Sequence, residues 1–157
     1  MLRIVSGGQT GVDRGALDAA IGRGADCGGW CPRGRLAEDG AVPARYPVRE
    51  LPGAGYAERT LENVIDSDGT LIVHENQLDG GSKLTAALCA EHARPLLSLD
   101  LAAMTPAQAA EQLLEFIRVH GIAVLNVAGP RASKWPQGRA RARSVIAAAL
   151  DRIGERR

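Results

Sequence analysis

The sequence predicts a three-layer α/β domain, a mostly parallel sheet covered by helices on both faces. Three observations carry this. Short runs of apolar residues recur along the chain, each long enough for one buried strand. Amphipathic segments stand between them, and twice a glycine-rich turn joins strand to helix. Parallel neighbours need a crossover, and a right-handed helical crossover places helices on the sheet faces.

Leu2 to Ser6 is the first apolar run; it ends in Gly7-Gly8 and leads into a segment with Ala16, Leu17, Ala20 and Ile21 at helical spacing. Residues 25–53 are rich in Gly, Pro and Arg with little periodicity, and only Pro47 to Leu51 reads as a strand. A long irregular stretch inside a small domain points to a functional loop. Tyr56 to Ser67 carries Leu61, Val64 and Ile65 on one helical face and stops at Asp68-Gly69. Thr70 to His74 is the second buried strand.

The turn 75–82 then opens a helix whose predicted core face is Leu84, Ala87 and Leu88. Pro95 to Leu99 is the third strand. Thr105-Pro106-Ala107-Gln108 has a Thr cap, Pro at the first helical position and Gln closing a capping box, followed by Ala109, Leu113, Phe116 and Ile117 toward the core. Ala123 to Val127 is the fourth strand. After Gly129-Pro130 and a polar loop, Val145, Ile146, Ala149, Leu150 and Ile153 build the last helix.

The 157 residues suit one domain, expected to span 1–157, and leave no room for a second. With 45% apolar and 24% charged residues the balance is that of a globular protein. A net charge of +1 supplies no global field toward nucleic acid or membrane, so neither is an expected partner. No apolar run has transmembrane length, the N-terminus lacks a signal-peptide pattern, and three cysteines leave one unpaired; a cytoplasmic location is expected. Cys27 and Cys31 lack a second ligand pair nearby, so no metal site is expected.

In open parallel sheets, ligands sit beyond the carboxyl ends of the strands. Three segments belong at that edge: 6–14, 79–83 and 126–134. Glycines let main-chain N–H groups approach a ligand, and the first helical turn offers unpaired donors with a positive partial charge. A phosphate-bearing small molecule is the expected partner. The expected binding residues are Gly7, Gly8, Gln9, Thr10, Gly11, Asp13 and Arg14 in the first loop, and Gly80, Gly81, Ser82 and Lys83 in the second. Asn126, Gly129, Pro130 and Arg131 belong to the third. Lys134 lies in the same loop, Trp30 is the expected partner of a flat heterocycle, and His74 reads as a structural histidine. Neither a GxGxxG fingerprint nor a Walker lysine motif is present.

At these residues the chain resembles the molybdenum carrier family, the circularly permuted YpsA-like branch of the SLOG superfamily. The resemblance rests on residues 4–14, on Gly28-Gly29-Trp30-Cys31-Pro32, Arg33-Gly34-Arg35 and Ala37-Glu38-Asp39-Gly40, on Tyr46-Pro47, on Gly80-Gly81-Ser82 and on residues 125–131. It implies a Rossmann-like fold and a nucleotide-type ligand at the glycine loops. The carrier name implies molybdenum cofactor, a phosphorylated pterin, and the superfamily implies a homo-oligomer. Related LOG-type enzymes remove the base from a nucleoside monophosphate through a Gly-Gly-x-Gly-Thr-x-x-Glu motif; the comparable stretch here puts Thr85 where the catalytic Glu belongs. An N-glycosidase built on this chain would take its acid from another loop, with Glu75, Asp79 and Asp39 as candidates. A nucleotide-sensing module is the third alternative.

Overall fold

In the computed structural model, residues 1–53 and 55–155 are described. The central sheet has five strands: β1 (Arg3–Val5), β2 (Cys27–Gly28), β7 (Gly69–His74), β8 (Leu96–Asp100) and β9 (Val124–Ala128), in the order β2-β1-β9-β7-β8 with every neighbouring pair parallel. The helices are α1 (Val12–Gly22), α2 (Tyr56–Ile65), α3 (Gly80–Glu91), α4 (Pro106–His120) and α5 (Gly138–Glu155). Apolar side chains of α1, α4 and α5 close over one face, where Ile4, Leu71, Val73, Leu99, Leu125 and Val127 meet Val12, Ala16, Leu113, Val145 and Ile146. The helices α2 and α3 lie against each other and cover the other face, where Asn126 donates to Thr70 Oγ1 at 3.2 Å.

The predicted α4 start is present: Thr105 accepts from the Gln108 amide, Gln108 returns a bond to the Thr105 amide, and Gly121 ends the helix in the left-handed region. The α3 face differs from expectation. Ser82, Thr85 and Cys89 are its buried stripe, whereas Leu84 and Leu88 are half-buried and Ala87 is exposed. Small side chains bring this helix close to the sheet, a choice hydrophobic periodicity does not reveal. In α2 the buried stripe is Arg59, Thr60, Asn63 and Val64, with Leu61 and Ile65 only half-buried.

The irregular stretch is more ordered than its composition suggests. After β2 come β3 (Trp30–Cys31), a 3₁₀ turn at Arg33–Arg35, β4 (Leu36–Ala37), β5 (Gly40–Ala41) and β6 (Arg49–Glu50). The strands β3 and β6 pair in parallel, and β4 and β5 form an antiparallel hairpin with Glu38-Asp39 at its tip. Two-residue strands flanked by glycine are too short to show alternation. Arg35 holds the segment together by donating to the carbonyls of Val42, Pro43, Tyr46 and Val48, above a small core of Leu17, Cys31, Val42, Tyr46 and Val48.

Candidate functional site

The chain leaves β1 toward β2 on one side and β7 toward β8 on the other, with β9 inserted between β1 and β7. The direction of winding reverses there, and loops diverging from such a point leave a crevice. A cleft of about 550 Å³ opens at this place, lined by Gln9 and Asp13 from the first loop, Tyr56, Arg59 and Thr60 from α2, Asp79, Gly80, Gly81, Ser82, Leu84 and Thr85 around the start of α3, and Ala128, Gly129, Arg131 and Lys134 after β9.

Its floor is polar and buried. Arg59 is 7% exposed and Ser82 2% exposed, yet Arg59 Nε and Ser82 Oγ have no hydrogen-bond partner among the described residues. Buried donors left unpaired are costly, and a ligand that accepts from them removes the penalty. Asp13 faces Arg59 with 3.9 Å between Oδ2 and Nη1 and accepts from the Gln9 amide at 3.2 Å. Burial pushes the Asp13 carboxyl above the usual aspartate range, against the opposing pull of Arg59 and the loop amides. At the rim, Arg59 stacks over the Tyr56 ring, 4.4 Å from its centroid. Gly7 lies so close to this pair that a Cβ there would collide with the Arg59 guanidinium.

The hairpin tip ties two of the loops together. Thr10 Oγ1 donates to Glu38 Oε1 at 2.5 Å and accepts from the Ala132 amide at 3.1 Å. Glu38 also accepts from the Ser133 amide at 3.1 Å and the Ser133 hydroxyl at 2.6 Å, and Arg131 Nε is 3.5 Å from its other oxygen. The bonds from Ser133 and Thr10 hold the Glu38 carboxyl below the usual glutamate range.

The model of the circularly permuted YpsA SLOG family matches residues 4–150. This chain belongs to that family. The SLOG chain is also similar to the crystal structure of a protein from Syntrophus aciditrophicus SB described as a candidate molybdenum carrier: identity is 44%, the TM-score is 0.92, and the match covers 96% of this chain and 95% of that one. No curated protein matches the chain. Family and neighbour together support a ligand-binding role on a Rossmann-like fold.

Of the binding residues expected in this SLOG domain, the cleft is lined by Gln9, Asp13, Gly80, Gly81, Ser82, Gly129 and Arg131. The others have different neighbours. Arg14 turns away, donating to the Gly8 carbonyl and, through both terminal nitrogens, to Asp39. Thr10 is engaged by Glu38, and the Asn126 side chain by Thr70. Gly8 sits under Val42 and Val48, and Gly11 packs beneath Pro130. Lys83 is exposed, outside the cleft lining. Trp30 lines a separate cavity, its indole N–H donated to Asp66 and its ring covered by Arg49.

Among the catalytic candidates, Asp79 lines the cleft. Glu75 pairs with Arg141 in a different depression, and Asp39 with Arg14. His74 is satisfied by the Asn76 carbonyl and the Ser98 hydroxyl, as a structural histidine should be. Tyr56, Arg59 and Thr60 from α2 are lining residues that the sequence did not point to, as are Ala128 and Leu84, the latter expected in the core. The helix α2 reads as apolar on the Leu61 and Ile65 side and solvated on the other, and nothing local signals that the polar side faces a cleft.

Proposed function

We propose that this protein binds or carries a phosphorylated heterocycle, a nucleotide or molybdopterin, in the cleft at the ends of β1, β7 and β9. One observation carries the reading: Arg59 and Ser82 present buried, unpartnered donors in a cleft flanked by Arg131 and Lys134. A phosphate satisfies both and is bound there with charge-assisted bonds in a low-dielectric setting. The Gly80 and Gly81 amides at the start of α3 add the helix-terminus contribution. Tyr56, at the mouth, takes over the ring-stacking role expected of Trp30.

Molybdenum enters this reading as cargo. Among the described residues no three His, Cys, Asp or Glu side chains come together to hold a metal ion, so the metal would arrive on the ligand's own donor atoms while Arg59 and Ser82 hold the phosphate end. With Ser82 aligned to the threonine of the LOG-type motif, Thr85 takes the position of the acid; it lines the cleft, and its hydroxyl is bonded back to the Gly81 carbonyl at 3.1 Å. This favours binding over base release.

Native mass spectrometry of freshly purified protein, followed by thermal titration with nucleoside monophosphates and a pterin phosphate, tests the proposal. A true ligand stabilises the fold by about 2.7 kcal/mol at a hundredfold excess over its dissociation constant. Release of free base from a nucleoside monophosphate, abolished by Asp79→Asn, would replace the binding reading with the hydrolase one.

A further inference from the structure

The cleft is not uniformly cationic. Asp79 lines it and is also the N-cap of α3, accepting from the Ser82 amide through Oδ1 at 2.9 Å. One of the donors a bound anion would use is therefore taken, and a negative charge already stands at the positive end of the helix. The second oxygen, Oδ2, receives no hydrogen bond from any described residue. Ser82 Oγ, buried and unpartnered, belongs to the residue whose amide Asp79 caps.

An anion bound at Ser82 therefore shares the cleft with the Asp79 carboxylate. Two fully deprotonated oxyanions in such a position repel and leave facing lone pairs without a proton between them. A single donor on the ligand converts the same contact into a charge-assisted hydrogen bond. Discrimination of this kind is built by placing a charge that the wrong ligand cannot satisfy.

We infer that Asp79 is a specificity-determining residue: it admits ligands that carry a hydrogen-bond donor on or next to the phosphate group and rejects oxyanions that have none. The inference rests on the anion-binding reading of the cleft. The favoured class is an acid phosphate, or a phosphate ester with a neighbouring hydroxyl able to donate to Asp79.

Inorganic phosphate and sulfate separate the two cases, because at neutral pH phosphate still has a P–OH group and sulfate has no proton. Calorimetric titration of each anion at matched ionic strength is made on the native protein, on Asp79→Asn and on Asp79→Ser; Asn and Ser are both good N-caps, so the start of α3 is retained. The native protein is expected to prefer phosphate by about tenfold or more, and both variants to bind sulfate about tenfold more tightly, collapsing the preference. Equal binding of the two anions by the native protein, or a preference that survives in both variants, overturns the inference while leaving the anion site in place. Binding of neither anion to any of the three proteins removes the anion site, and this inference with it.

Discussion

Arg59 and Asp13 face each other across 3.9 Å, both nearly buried, without a hydrogen bond between them. The carboxylate is committed to the first loop through the Gln9 amide. The guanidinium spans the space between that loop and the cleft, with Tyr56 on one side and its Nε unpaired. A buried cation held this loosely is placed for a second anion.

Replacing Arg59 by Met therefore has two separable effects. Asp13 loses the counter-ion it faces, costing about 2 kcal/mol, below the usual loss for a close buried pair because the contact is long. Phosphate binding is lost as well. In the Arg59→Met/Asp13→Asn double variant stability returns in denaturant titrations, but binding does not.

Glu38 and Asp13 should titrate in opposite senses. The Glu38 carboxyl is lowered by Ser133 and Thr10, so its stabilisation is complete above the ordinary glutamate range and disappears as pH falls through its lowered value. Glu38→Gln should cost about 1 kcal/mol at neutral pH, a modest figure because the group is partly solvated, and the difference should vanish in acid. Asp13 is raised by burial: the folded state holds its proton more tightly, so its share of stability declines as pH climbs above the ordinary aspartate range. Relative to the native protein, Asp13→Asn should gain stability over that rise. Melting temperatures followed from acid to neutral pH check both signs.

Gly11 has φ +83°, and a Cβ there would press into the Pro130 carbonyl and the Ala132 amide. Withdrawal of these backbones breaks the bonds that the Val12 amide donates to the Pro130 carbonyl and the Ala132 amide donates to Thr10 Oγ1. Gly11→Ala should destabilise by more than about 2 kcal/mol, combining left-handed strain with overpacking. Chemical denaturation measures this, and a loss under half that size would show the two loops to be less tightly interlocked.

Tyr56 and Trp30 provide a paired test. Tyr56→Ala should weaken binding of a nucleoside monophosphate or pterin phosphate about tenfold, as expected for a lost stacking partner. Trp30→Phe should leave it unchanged, since Trp30 lines a separate cavity rather than this cleft. Calorimetry on both variants decides it.

The sheet was legible because Thr70 to His74 and Ala123 to Val127 are apolar runs of strand length, and the α4 capping box because its residues bond to one another. Convergence of the glycine loops followed from the carboxyl-edge rule for parallel sheets. Partnering did not follow. Arg14 and Arg59 are both arginines near a glycine loop, and only the fold tells that Asp39 consumes the first while the second faces the cleft. The hairpin at Glu38-Asp39 escaped because two-residue strands have no period to detect, so its hold on Thr10 and Ser133 stayed hidden.

The most direct test of the central claim is a crystal of the native protein soaked in phosphate. The account predicts one phosphate in the cleft, with oxygens about 3 Å from Ser82 Oγ and Arg59 Nε. A cleft that stays free of phosphate at saturating concentration, or phosphate bound only at sites without Arg59 and Ser82, would contradict it.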